Sequence, residues 1–83
     1  MNFKTENIGR IELGVEGSDQ YIKLTADGSH APTKSQVHDW LLSQCYRDTH
    51  QEAGGYYCHS VTIMKHPRLN DEFVGIIHHR FDV

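Results

Sequence analysis

The residues of this chain with the greatest capacity for chemistry are its histidines and cysteines. Seven histidines and two cysteines, Cys45 and Cys58, occur among 83 residues. Imidazole binds metal ions and carries protons near neutral pH, and a thiolate is both a metal ligand and a nucleophile. The histidines are spread over the whole chain: His30, His38, His50, His59, His66, His78 and His79. Their number, rather than their spacing, makes them candidates for a site.

A metal site would combine the two places where such residues are adjacent in sequence, residues 58–59 and 78–79. If both segments are neighbouring strands, Cys58 could meet His78 on one face. His59 could then meet His79 on the other face. The chain has no C-x2-C, H-E-x-x-H or similar ligand spacing. The sequence therefore predicts no cofactor, and a His/Cys metal site or a pH-responsive histidine cluster is the alternative.

Catalytic motifs are absent from the sequence. It contains no G-x-S-x-G nucleophile elbow and no glycine-rich phosphate loop. Cys45 falls on the predicted core side of a helix and Cys58 in the middle of a strand, where a small thiol usually packs rather than reacts. We therefore expect a non-catalytic protein. The enzymatic alternative is a small hydrolase that uses His59 and His79.

The elements that would position these residues begin with a hairpin. Alternation of apolar and polar residues predicts a half-buried strand over residues 10–16 and a second strand over residues 21–26. Residues 17–19 have the composition of a turn, which makes the pair a hairpin. The predicted inward-facing residues are Ile11, Leu13, Val15, Ile22 and Leu24.

A single helix follows the hairpin. Thr33 and Gln36 match the S/T-x-x-E/Q capping box, in which each side chain satisfies a free backbone N–H at a helix start. A helix is therefore predicted over residues 34–51, with the glycine pair at 54–55 as its stop signal. The predicted core side of this helix carries Val37, Trp40, Leu41 and Cys45.

Two further strands complete the predicted fold. Residues 56–65 and 72–83 are rich in β-branched and aromatic side chains. Their predicted core residues are Val61, Ile63, Phe73, Ile77 and Phe81. The sequence thus predicts one α+β domain over residues 1–83. It is a ββαββ two-layer sandwich, a four-stranded antiparallel sheet with one helix packed on one face.

The sheet face without a helix is the predicted binding surface, because one helix covers only one face. The predicted partner-binding residues on this face are Tyr21, Tyr56, Met64, Val74, Ile76, His78 and Arg80. A contiguous apolar patch of this kind typically marks an interface, and the alternative is a solvated face with scattered apolar residues. We expect a binding module that acts through protein–protein contact, with a protein partner or with itself as a homodimer.

Composition limits the partners and the compartment. A net charge of −3 argues against a nucleic-acid ligand, and no apolar run is long enough to cross a membrane. The N-terminal residues do not resemble a signal peptide, which predicts a cytoplasmic protein with reduced cysteines; a Cys45–Cys58 disulfide is the alternative. Small acidic domains without catalytic motifs are common among bacterial and phage accessory proteins, including inhibitors of host factors, and we expect a protein of that type.

Overall fold

A computed structural model describes residues 2–28, 31–49 and 56–81, with residues 46–49, 56, 57 and 81 described for their backbone. The elements are β1 Asn2–Glu12, a 3-10 turn Gly14–Glu16, β2 Gly17–Asp27, α1 Lys34–Thr49, β3 Tyr56–Lys65 and β4 Glu72–Phe81. The four strands form one antiparallel sheet in the order β1-β2-β4-β3, and α1 packs on it. The predicted α+β two-layer architecture is confirmed.

The first hairpin is longer than predicted and its inner face differs. β1 begins at Asn2, and β2 begins at Gly17, so residues 17–19 belong to a strand rather than to a turn. The prediction that Ile11, Leu13 and Val15 lie in the core is wrong, because their side chains are 52%, 36% and 89% exposed. For Ile11 the cause is a β-bulge between Asn7 and Gly9, which reverses the alternation of side chains beyond it in β1. Leu13 and Val15 lie after the end of β1, in the connection to β2, so strand alternation does not apply to them.

Gly17 allows β2 to approach β4 closely where the hairpin connection ends. Its φ of 137° is a backbone conformation that other L residues rarely adopt, and a Cβ at this position would overlap the carbonyl oxygen of His79. The Gly17 carbonyl also accepts a hydrogen bond from the Leu13 N–H at 2.8 Å, which closes the connection. A glycine that appeared to mark a turn is therefore required by the strand pairing.

The helix begins where the sequence predicts. The Gln36 N–H donates to the Thr33 hydroxyl oxygen at 3.1 Å, and the Thr33 N–H donates to the Gln36 side-chain oxygen at 2.9 Å. This reciprocal pair is the predicted capping box. The helix is described up to Thr49, and residues 50 and 51 of the predicted helix lie outside the described residues. The helix in the described part of the chain is too short and too polar to span a bilayer.

The hydrophobic core lies between α1 and the strands β2, β3 and β4. Its buried members are Leu24, Val37, Leu41, Cys45, Val61, Ile63, Phe73 and Ile77, all of them predicted. Ile22 and Trp40 are partly buried against this core, and the Trp40 ring also contacts Phe3 at a centroid separation of 4.7 Å. The predicted core position of Phe81 concerns a side chain outside those described.

A disulfide bond joins the helix to the sheet. Cys45 of α1 and Cys58 of β3 are bonded, with their Cα atoms 6.2 Å apart. The expectation of reduced cysteines is therefore wrong. Strict alternation would place Cys58 and Ser60 on the same face of β3. A bulge between these two residues instead turns Cys58 towards the helix.

Candidate functional site

The sheet face opposite the helix, called here the open face, is organised in three rows that cross β2, β4 and β3. The strand registers align Lys23 with Val74 and Met64, then Tyr21 with Ile76 and Thr62, then Asp19 with His78 and Ser60. Glu72 and Arg80 extend the face at the two ends of β4. β4 shows the arrangement most clearly, since residues 72–80 alternate between partly exposed and buried side chains without a break.

Apolar side chains occupy the first and central rows. Tyr21, Val74 and Ile76 are partly buried by their neighbours. Met64 is 46% exposed, and Ile8 at the β1 bulge is 51% exposed. Ile8, Met64 and Val74 line a half-open groove of about 450 Å³ with residues of the β3–β4 connection. Of the predicted binding residues, Tyr21, Met64, Val74, Ile76, His78 and Arg80 lie on this face. Tyr56 lies opposite Phe81 in the ladder, and its side chain is outside those described.

One end of the open face carries an ion pair. The Lys23 ammonium lies 2.6 Å from the Glu72 carboxylate, and this contact lowers the pKa of Glu72 and raises the pKa of Lys23. His66 is next to this pair: its Nδ1 accepts hydrogen bonds from the Arg68 and Leu69 N–H groups, both at 3.0 Å, while its Nε2 lies 3.9 Å from Glu72. The pair shows that charge of both signs is present at this end.

The opposite end of the face also carries both signs. The Asp19 carboxylate lies 2.9 Å from His78 Nδ1 and accepts a hydrogen bond from Arg80 at 3.1 Å. The hydrogen bond to His78 has the largest effect on the pKa of Asp19 and lowers it; burial opposes this effect, and the hydrogen bond to Arg80 and the charges of His78 and Arg80 lower the pKa further. Arg80 also donates to the carbonyl oxygens of Ser18 and His79, which fixes its position. Asp19 is thus held as an anion.

A hydrogen-bonded chain links three side chains across this end of the sheet. His78 Nε2 lies 2.8 Å from the Thr62 hydroxyl, and His78 Nδ1 lies 2.9 Å from Asp19. With Asp19 ionised and the imidazole neutral, Nδ1–H donates to the carboxylate and Nε2 accepts from the hydroxyl. Carboxylate, imidazole and hydroxyl in this order are the groups that activate a hydroxyl nucleophile.

Asp19 and Thr62 were not among the predicted site residues. Asp19 was assigned to a turn, so its strand face was not considered. The signal that would have found it is the alternation of Asp19, Tyr21 and Lys23, which becomes visible when the second strand begins at Gly17. Thr62 lies diagonally across from His78, and nothing in the sequence indicated this contact.

The predicted His/Cys cluster does not assemble in the described structure. Cys58 is bonded to Cys45 on the helix side, whereas His78 is on the open face, so the expected approach of Cys58 to His78 is wrong. His79 is 5% exposed, with Nε2 3.0 Å from the Gln20 side-chain oxygen, and His59 is exposed at the β3 bulge. Within residues 2–28, 31–49 and 56–81, no three histidine, cysteine, aspartate or glutamate side chains converge as metal ligands would. His30 and His50 are outside the described residues.

Comparison with known proteins gives no relative from which a function could be inferred. No protein-family model, no curated protein and no solved structure matches this chain. A function must therefore be argued from the geometry of the site itself.

Proposed function

We propose that this protein is a binding module that docks a protein partner on the open face of its sheet. The observation that carries the proposal is the layout of that face: apolar side chains of the central and first rows lie between an ion pair at one end and the Asp19–Arg80 pair at the other. An apolar centre with a charged periphery is the usual anatomy of a protein interface.

The exposure of the apolar side chains supports the same interpretation. Met64 and Ile8 are about half exposed although they border a groove that could receive a partner's side chains. Single exposed apolar residues are normal on any surface, but a cluster that continues into partly buried Val74 and Ile76 gives a contiguous patch. Met64, Val74 and Ile76 of the patch lie on β3 and β4, the strands whose other face packs against α1.

A matched pair of variants tests the proposal. Met64 on the open face and Leu69 in the β3–β4 connection are 46% and 48% exposed, so aspartate at either position removes a similar apolar surface. We expect Met64→Asp to abolish association, whether with itself or with a stoichiometric partner, while Leu69→Asp retains it. Hydroxyl-radical footprinting should show protection of Met64 and Tyr21 in the complex. Equal effects of the two variants, or protection elsewhere on the molecule, would contradict the proposal.

The type of protein and its compartment are part of the proposal. We propose that it is an accessory or inhibitor protein of bacterial or phage origin, because of its small size, its acidic charge and its proposed binding face. For the compartment, the disulfide between Cys45 and Cys58 favours an oxidising environment over the cytoplasm. Thiol titration of the protein from its native source, denatured under alkylating conditions, distinguishes the two compartments: two free thiols fit the cytoplasm and none fits an oxidising one.

A second candidate function rests on the Asp19–His78–Thr62 chain. The Thr62 hydroxyl would attack the carbonyl carbon of an ester as its proton passes to His78 Nε2, and the alkoxide would leave to give an acyl-threonine. Backbone N–H groups of the central strands β2 and β4 are committed to the sheet ladder, so these strands offer no backbone donor to the oxyanion. Acylation should therefore be slow and deacylation slower.

The test of this candidate is mass spectrometry after incubation with p-nitrophenyl acetate. A single acetyl group on Thr62, absent in Thr62→Val and strongly reduced in His78→Gln, would support the hydroxyl as a nucleophile. Labelling of lysines alone, at a rate unchanged in both variants, would remove this function.

A further inference from the structure

The open face is complementary in charge to a second copy of itself. From this complementarity we infer that the partner of the binding module is a second identical chain. The two chains would pack face to face about a two-fold axis along the central row. This inference rests on the proposed function and deepens it by naming the partner. The axis would run across the strands through Tyr21, Ile76 and Thr62, which are aligned by the register.

Such an axis exchanges the two ends of the face while it keeps each strand over its own copy. The first row then lies over the third row of the partner, so Lys23 faces Asp19 across the interface, both being residues of β2. Glu72 faces Arg80 in the same way, since both belong to β4. The two ends therefore meet with opposite charges at both positions, and each contact occurs twice because of the symmetry.

The axis row of the same arrangement carries the large side chains of Tyr21 and Ile76 together with Thr62. Ile76 and Tyr21 lie on the axis row and would face their own copies, and Val74 would face His78. Both ring nitrogens of His78 already have partners, Asp19 at 2.9 Å and Thr62 at 2.8 Å. Covering the imidazole therefore leaves no ring nitrogen without a hydrogen bond, which removes the main cost of burying it. The hydrogen-bonded chain thus makes His78 compatible with a buried interface.

The dimensions of the face fit a small but stable interface. Four strands about 4.8 Å apart and nine residues of about 3.3 Å give a planar area of roughly 500 Å². The lower end of stable interfaces is about 600 Å² of accessible surface per partner, and a corrugated sheet face exposes more than its planar area. Packed sheets cross at about 30°, an offset that the long Lys23 side chain can span. The expected dissociation constant lies at the weak end for specific interfaces, in the roughly micromolar range.

A charge-swap experiment tests this dimer. Lys23→Asp places two aspartates opposite each other at both contacts, and Asp19→Lys places two lysines there. Each variant alone should dissociate at least tenfold more readily than the wild type, as measured by sedimentation velocity over a micromolar to near-millimolar series. An equimolar mixture of the two variants should form a heterodimer of near wild-type affinity, because both contacts are again of opposite charge.

A second experiment does not disturb the charged residues. Both native cysteines are bonded to each other, so Ile76→Cys introduces one reactive thiol on the axis row. A short bis-maleimide should couple Ile76→Cys chains into covalent dimers, while Leu69→Cys, which lies off the open face, should not be coupled. Equal coupling of the two variants would overturn the arrangement, and this result remains decisive even where Asp19→Lys fails to fold by circular dichroism.

The failure of the dimer and the failure of the binding module give different results. A wild-type chain that is monomeric at every concentration, or charge variants that dimerise as well as the wild type, would overturn the face-to-face dimer. The binding module would survive that outcome if Met64→Asp, but not Leu69→Asp, lost a different protein partner.

Discussion

Breaking the Cys45–Cys58 bond should remove a large part of the stability of this protein. The two bonded cysteines are 13 positions apart in the sequence, and the segment between them includes the end of α1 and the start of β3. A cross-link that closes a loop of this length restricts the unfolded chain by an amount worth about 3 kcal/mol. A domain of this size has a total unfolding free energy of roughly 4–12 kcal/mol. Reduction should therefore cost between a quarter and more than half of the total.

The measurement is urea denaturation followed by far-UV circular dichroism, with and without a phosphine reductant. Reduction should lower the unfolding free energy by about 3 kcal/mol and the melting temperature by roughly 12–24 °C. The denaturant slope should rise on reduction, because the unfolded chain without its cross-link exposes more surface. The reduced wild type keeps both sulfur atoms, so the comparison isolates the bond from the packing of buried Cys45.

A double variant provides the control for the reductant. Cys45→Ala/Cys58→Ala should resemble the reduced wild type, with a small further loss from the missing sulfur atoms, and it should not respond to the reductant. A change of less than about 0.5 kcal/mol on reduction of the wild type would refute the reasoning. That result would mean that the reduced, unfolded chain retains structure that already restrains this segment without the bond.

Three further variants test the core, the helix start and the open face. Gly75→Ala should lower the free energy of unfolding by about 1–3 kcal/mol in urea denaturation, because the added methyl group overlaps the buried Leu41 side chain. Adding Leu41→Ala should recover part of this loss instead of adding its own full cost. Thr33→Ala should lower the free energy of unfolding by about 1 kcal/mol, because the capping hydrogen bond is lost. Ser35→Ala, in the exposed first turn of the helix, should change it little. Equal effects of the two variants would contradict the role of the cap. The pKa of Asp19 is lowered from its ordinary value of 3.8, so its contribution to stability is complete above that pH and is lost as the pH falls through the folded-state value. Asp19→Asn should therefore weaken the fall of the melting temperature with decreasing pH below about pH 4. An unchanged pH dependence would show that the His78 and Arg80 contacts do not stabilise the carboxylate.

Much of the fold follows from local signals that the structure confirms. The unbroken alternation of β4 assigned every residue from 73 to 80 to its face, and the capping box of Thr33 and Gln36 fixed the start of the helix. These signals are reliable because they depend on the backbone geometry of one element and on which of its faces is apolar. The buried members of the core were all predicted for the same reason.

The same reasoning assigned residues of β1 and β3 to the wrong face, because each of these strands contains a bulge. Each adds one residue to its strand without a counterpart in the partner strand, so the side chains beyond it change faces. Ile11 consequently is exposed instead of buried, and Cys58 meets Cys45 instead of the open face. A bulge depends on how two strands are paired, and this information is not present in the alternation of either strand alone.

The histidines and cysteines show most plainly what the sequence determined and what only the tertiary structure decided. The sequence determined that imidazole and thiol groups are abundant and that His78 belongs to the face opposite the helix. Only the tertiary structure decided which of them meet: Cys58 with Cys45, and His78 with Asp19 and Thr62. The physical reason is that these contacts join residues of different elements, and strand order and register, rather than residue type or spacing, set the distances between them.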